Sequence, residues 1–318
     1  MHNIDRMELA AVEAFLAVVR LGGFTRAADA VHLSQPALSR RIGLLEHELG
    51  RPLFERGRKG ARLTDAGAAF LPHAQAALAS LRDGAAAVES LGQPDAGRLT
   101  VAIVGTLAST DLTAQLRRFR DDHPRLALLL RTGNSAEVSG LVRRGEAALG
   151  LRYFPDPALD VVSRTVRREP LVVVAAADHP LGGARRIAPK RLREESWVSF
   201  APRRGAALDP FGQVVVRSLA AAGLDDSRLV VIDSLTAQKR LVEAGFGLAL
   251  VPESSVREEL GLQTLRRLDV PALAASIEVT LIHRRSTVLG AAARRLVEIL
   301  AAPPAGRRSR RARRTRRR

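Results

Sequence analysis

Residues 34–50 read SQPALSRRIGLLEHELG, and their spacing predicts a helix with two unlike sides. Leu38, Ile42, Leu45 and Leu49 recur at steps of four, three and four, the interval that stacks side chains on one face of a helix. Ser34 suits the cap position, because a serine hydroxyl accepts from a first-turn N–H, and Pro36 in that turn forfeits no helical hydrogen bond. Gly50 ends the pattern. Gln35, Ser39, Arg40 and Arg41 fall on the other faces, so an apolar side ready for burial is backed by one able to make hydrogen bonds.

Working outward, residues 7–20 place Leu9, Val12, Phe15, Leu16 and Val19 at helical spacing, ended by Gly22-Gly23. Phe24 to Val31 reads as a short second helix with Ala27, Ala28 and Val31 inward, and His32-Leu33 turns the chain into Ser34. Leu53-Phe54 and Ala61-Arg62-Leu63 read as two short strands around the Gly-bearing tip Glu55–Gly60. Residues 1–63 thus make a helix-turn-helix with a wing. Within 51–62 stand five cations (Arg51, Arg56, Arg58, Lys59 and Arg62) against Glu55 alone, a local patch of the kind a polyanion backbone contact needs. Thr64 caps a long fourth helix over 64–91, where Leu71, Ala74, Leu78, Leu81, Ala85 and Val88 form a narrow seam suited to a partner helix. Packing on its own domain is the alternative reading, and Pro72 argues for a kink.

The 318 residues suffice for a small domain and a larger one, and with 46% hydrophobic but only 3% aromatic residues the cores are expected to rest on Ala, Leu and Val rather than rings. Residues 92–97, GQPDAG, form a hinge linker by composition. Beyond it strands alternate with helices: strands at 99–104, 126–130, 147–151, 171–176, 197–200, 229–232, 248–251 and 277–283, helices at 112–119, 136–142, 211–222, 235–244 and 287–300. That alternation implies parallel sheets with crossover helices over 98–303. The formal charge of +17 needs locating: nine arginines lie in the tail from Arg307 to Arg318, and removing them leaves +8. Pro303-Pro304 stop the last helix, and 304–318 is expected to be a disordered, nonspecifically nucleic-acid-binding tail.

The stretch FTRAADAVHLSQPALSRRIGLLEHELGRPLFER, from Phe24 to Arg56, followed by Leu63-Thr64-Asp65-Ala66-Gly67, strongly resembles the DNA-binding domain of LysR-type regulators over about residues 7–90. Two later stretches, Ala177-Asp178-His179-Pro180-Leu181 and residues 241–252, LVEAGFGLALVP, resemble the same family more loosely. The resemblance implies an α+β multidomain protein: a winged helix-turn-helix, a long linker helix, then an effector domain of two α/β subdomains similar to periplasmic binding proteins. It would divide as 98–165 with 269–303, and 166–268. The resemblance places Gln35, Pro36, Ser39 and Arg40 against the major groove, where Gln pairs with adenine, Arg with guanine or phosphate, and Ser with either. Thr25, Arg26, Arg56, Lys59 and Arg62 would sit on phosphates or beside the minor groove, positioning the domain without specifying sequence. Arg41 reads equally as solvated or as a contact. The expected partners are double-stranded DNA, a second or further copies in a homodimer or homotetramer, RNA polymerase, and a small-molecule effector.

Effector contacts are expected beyond the carboxyl ends of the strands, where helix N-termini point: Thr106 and Ser109, Asn134 and Ser135, and Ser234 with Thr236. Phe200, Pro202 and Arg203 follow the Trp197 strand in a stretch that lines the cleft in relatives, Arg203 offering a countercharge to a carboxylate. For Thr106, Ser109 and Asn134 ordinary helix capping is the competing reading. Ala148 stands where relatives commonly carry aspartate. No cofactor or metal is expected: the seven histidines are scattered, there is no cysteine, and no HExxH, GxSxG or phosphate loop assembles a reaction centre. An enzyme is therefore not the reading. No apolar run reaches the length of a membrane span, so a cytoplasmic protein is expected. An architectural DNA binder without an effector is the alternative, and it would not need some 200 residues of α/β domain.

Overall fold

The computed structural model describes residues 7–57, 60–89, 97–108, 110–200 and 210–302, arranged as two compact units. The first holds α1 (Leu9–Leu21), α2 (Phe24–Ala30), α3 (Gln35–Leu49), β1 (Phe54–Gly57), β2 (Gly60–Leu63) and α4 (Asp65–Glu89). Its core forms where α1, α2 and α3 cross, and α3 contributes Leu38, Ile42 and Leu45, all fully buried, each worth roughly 1.5–3 kcal/mol of burial. The core is mostly Ala, Leu and Val, as the composition implies, but rings join it. Phe15, Phe24, Phe54 and Phe70 gather, with Phe15 5.3 Å from both Phe54 and Phe70 and Phe24 5.6 Å from Phe54; scarcity in the composition did not forbid concentration in one place. Leu9, expected inward, is 43% exposed, since the buried face of α1 runs through Ala11, Val12, Ala14, Phe15 and Val18.

Local hydrogen bonds set the turns. After α2, His32 adopts a left-handed conformation at φ 55° while the N–H of Leu33 donates to the Ala28 carbonyl at 2.9 Å, a Schellman closure that reverses the chain within four residues. Ser34 then caps α3, accepting from the N–H of Ala37 at 3.3 Å. At the other end of α3, Glu46 Oε1 accepts from the N–H groups of Leu53 (2.7 Å) and Phe54 (3.2 Å), tying the wing to the helix. Thr64 donates to the Pro52 carbonyl at 2.7 Å and accepts from the N–H of Gly67 at 3.0 Å, capping α4. Gly67 lies so close to the Leu53 carbonyl that a Cβ would come within 2.2 Å of it.

The wing strands pair antiparallel from Phe54 opposite Leu63 to Gly57 opposite Gly60, and are longer than the sequence suggested. A Cβ on Gly60, whose φ is +110°, would meet the Gly22 carbonyl at 2.8 Å, so the wing abuts the α1–α2 turn. Helix α4 passes through Pro72 unbroken, since one forfeited hydrogen bond does not end a 25-residue helix. The expected seam needs correcting in its first half. Ala74 is buried in the core of the first unit and Leu71 packs against it, whereas Leu81 (53%) and Val88 (67%) stay exposed.

The second unit runs β3 (Gly97–Val104), α5 (Thr110–Asp122), β4 (Leu126–Gly133), α6 (Ser135–Arg143), β5 (Leu149–Tyr153), β6 (Val161–Ala176), β7 (Trp197–Phe200), α7 (Pro210–Ala221), β8 (Leu229–Ile232), α8 (Leu235–Glu243), β9 (Ala249–Pro252), α9 (Arg257–Leu262), β10 (Leu265–Leu268), β11 (Ser276–Arg284) and α10 (Ala291–Ala301). The sheets are mixed rather than parallel throughout. β3 pairs parallel with β4 and β5, and β7 with β8, but β11 is antiparallel to β5 and β6, and β9 and β10 are antiparallel to β6. The cause is β6, whose first ten residues, 161–170, carry no apolar run in the sequence. Val161 to Pro170 pair with β11, and Leu171 to Ala176 pair with β9 and β10, so one 16-residue strand runs from the sheet of one subdomain into that of the other. The polar stretch Ser163-Arg164-Thr165 to Arg167-Arg168-Glu169 hid this strand, because long side chains at a subdomain junction break the apolar run.

Candidate nucleic-acid interface and effector cleft

With Leu38, Ile42 and Leu45 anchored, the opposite flank of α3 faces outward: Gln35, Pro36 and Arg40 are exposed, and Ser39 and Arg41 are half-buried. Leu44, one turn after Arg40, is 55% exposed, and Gly43 has open space at its Cβ position. Beyond Arg40 this flank therefore carries a glycine and an exposed leucine before the exposed His47, a mixed surface and not a wholly polar one. Thr25 and Arg26 are exposed on α2, with the Arg26 guanidinium lying over Gly22, 3.6 Å from where a Cβ would stand. Because Gly60 meets the same Gly22 turn, Arg26 and the loop end of the wing hairpin share one edge of the domain. Arg62 is exposed on β2. The side chain of Arg56 and all of Lys59 lie outside the described residues.

In the second unit, the residues expected around the cleft divide. Thr106 is buried, and its hydroxyl shares a 2.7 Å hydrogen bond with the Tyr153 hydroxyl. The Tyr153 ring packs on Phe211 at 5.5 Å, and Phe211 meets Phe200 edge-on at 6.2 Å. A row of aromatic groups thus crosses from the subdomain of β3 and β5 to that of β7 and α7. Asn134 and Ser234 act as caps. Asn134 Oδ1 accepts from the N–H of Glu137 while Glu137 Oε2 accepts from the N–H of Asn134, both at 2.9 Å, a reciprocal capping box for α6. Ser234 accepts from the N–H of Ala237 at 3.4 Å and Ser135 is fully buried. Ser109, Pro202 and Arg203 lie outside the described residues. At the start of α5, Asp111 accepts from Arg257 of α9 at 2.6 Å. That hydrogen bond raises the Arg257 pKa above its ordinary value against the lowering effect of burial, and the charges of Asp111, Glu253 and Glu169 add to it.

Residues 9–68 match the model of the bacterial regulatory helix-turn-helix proteins of the lysR family, and residues 92–303 match that of the LysR substrate binding domain. The chain belongs to the LysR-type transcriptional regulator family. Among its relatives, the RuBisCO operon transcriptional regulator of Allochromatium vinosum is 31% identical over 287 residues, covering 90% of this chain and 93% of that one. The regulator also shares its fold with a full-length OxyR variant from Pseudomonas aeruginosa (TM-score 0.67, 23% identity, 93% of this chain and 94% of that chain). A second match is full-length CbnR complexed with its target DNA (TM-score 0.61, 24% identity, 93% and 100%).

In this LysR-type regulator, Tyr153 with Phe211 and Asp111 with Arg257 make contacts between the two subdomains of the second unit. Nothing in their spacing marks them, since each pair joins elements far apart in the chain. Among the described residues no cluster of His, Asp and Glu is arranged to hold a metal, and no helix is long and apolar enough to cross a membrane. The capping box makes a definite expectation: Asn134→Ala lowers stability by about 1 kcal/mol in denaturant titration, and Asn134→Asp restores it. An unchanged midpoint in Asn134→Ala would show that the cap carries no stability.

Proposed function

We propose that this regulator reads an imperfect palindromic promoter site with α3 in the major groove and the wing and α2 on flanking phosphates. The observation that carries the reading is the two-sidedness of α3, whose buried Leu38, Ile42 and Leu45 leave Gln35, Ser39 and Arg40 on the flank available to base edges. The structural relative CbnR was solved with its target DNA. Arg40→Ala is expected to weaken binding to the promoter site by about 1–3 kcal/mol and to relax its preference over scrambled DNA, whereas Arg62→Ala weakens both duplexes alike and lowers the salt slope by about one. Fluorescence anisotropy at fixed salt checks this, and equal losses on both duplexes for Arg40→Ala would sink the groove assignment.

Palindromic reading requires two copies. The partner surface is the outer face of α4, where Leu49, Arg51, Leu53, Ala66, Ala69, Phe70 and His73 line an open apolar hollow of about 350 Å³ near the start of the helix, and Leu81 and Val88 project from its far half. Parallel helices would set hollow against hollow, while an antiparallel pair symmetric about the exposed Ala77 brings Leu81 to His73 and Val88 to Ala66 of a second copy. Leu129 and Leu130 on the edge strand β4, and Leu229 and Val231 on β8, are exposed apolar edges that further copies would cover. Leu81→Glu is expected to raise the dimer dissociation constant at least about tenfold in sedimentation equilibrium, since it places a charge in an apolar contact; an unaltered association constant would refute this register.

The second unit supports an effector role. Its match is to a substrate-binding domain, and the row Thr106–Tyr153–Phe211–Phe200 spans the two subdomains, where a ligand that favours one arrangement shifts the population. The effector we infer is a small anionic metabolite. Isothermal calorimetry with a panel of carboxylates and matched neutral amides is expected to give binding only among the acids; binding confined to the amides would remove the anion assignment.

A further inference from the structure

The two subdomains of the second unit are joined covalently by only two passages of chain, β6 through Pro170 and the return from Leu268 to Ser276. A third link is not covalent. The 3-10 turn Gly105–Leu107 of one subdomain packs on the 3-10 turn Glu253–Val256 of the other, and just beyond this contact Arg257 Nη1 donates to Asp111 Oδ1 at 2.6 Å. Asp111 sits in the first turn of α5 and Arg257 opens α9, 146 residues apart in sequence. We propose that the Asp111–Arg257 ion pair is a latch between the subdomains, whose opening frees them to take a second arrangement.

Three features support a switch rather than a static brace. The pair is solvent-accessible, with Asp111 26% and Arg257 53% exposed, so its strength is small and its breaking is not opposed by an uncompensated buried charge. Arg257 has two other acids nearby: Glu253, in the adjoining turn on its own side of the junction, and Glu169, on the part of β6 that pairs with β11. These are themselves engaged, Glu253 by Arg267 at 3.4 Å and Glu169 by Ser254 at 2.6 Å and Arg167 at 2.8 Å. A guanidinium released by Asp111 therefore remains beside anions, so its charge is not left uncompensated when the pair opens. Asp111 in turn remains favourable at a helix N-terminus when unpaired. The proposal does not rest on the DNA or effector readings, because it concerns the free protein.

The absence of cysteine in the chain makes a clean test available. Spin labels on Leu159→Cys (89% exposed) and Leu262→Cys (68% exposed) of the full chain report the distance between subdomains. Asp111→Asn and Arg257→Gln are each expected to shift the distance distribution, changing the ratio of the two arrangements by up to about fivefold, as an exposed pair allows. The double variant should shift no further than either single, and high salt should move the wild type toward the variants while leaving them unmoved. Distributions unchanged in the singles, or shifts that add in the double, would overturn the latch. The charge-exchanged pair Asp111→Arg with Arg257→Asp guards against a folding artefact: recovery of the wild-type distribution supports the proposal, and failure to recover in a chain with wild-type melting counts against it.

Discussion

Everything in the first unit depends on holding one side of α3 while leaving the other free. The apolar triplet Leu38, Ile42 and Leu45 supplies the grip, but burial is nondirectional and would let the helix roll. Direction comes from its two ends. Ser34 fixes the start, and Glu46 fixes the far end by accepting two backbone N–H groups of the segment entering the wing. A carboxylate satisfying two otherwise unpaired donors is a strong, oriented contact, so helix and wing form one rigid edge with Arg26 alongside. Glu46, which no spacing or capping pattern marks, is in effect the joint of the motif.

The second unit is built differently, with the connection between its two subdomains concentrated in few places. β6 belongs to both sheets, and Pro170 stands where its ladder changes partners, at a position where a missing N–H costs no pairing within either sheet. Aromatic packing of Tyr153, Phe211 and Phe200 joins the bodies on one side, and the Asp111–Arg257 pair joins them by charge. Apolar and ionic contacts of this kind differ in their response to salt, which screens an exposed ion pair and leaves apolar burial in place.

Polar residues at helix starts show how far a pattern can be trusted. Thr106, Asn134 and Ser234 all sit where strand ends meet helix N-termini, and the expectation allowed each to be a cap or a ligand contact. Asn134 and Ser234 spend their side-chain oxygens on first-turn N–H groups, and the Thr106 hydroxyl is engaged with Tyr153. The two roles share one chemistry, because the N–H groups that would bind an anion are those that a cap satisfies. Only the partner atom distinguishes them.

The sequence by itself determined the elements whose cause is local: the face of α3, its Ser34 cap and Gly50 stop, the wing, and most helices and strands of the second unit. Each is written in spacing, capping chemistry or turn residues within about ten positions. Tertiary structure alone decided the direction of the strands around β6, the clustering of four phenylalanines in a chain poor in rings, the internal use of Leu71 and Ala74 on α4, and the pairing of Asp111 with Arg257. These depend on which distant segments share a space, and a periodicity records that a face is apolar without recording what covers it.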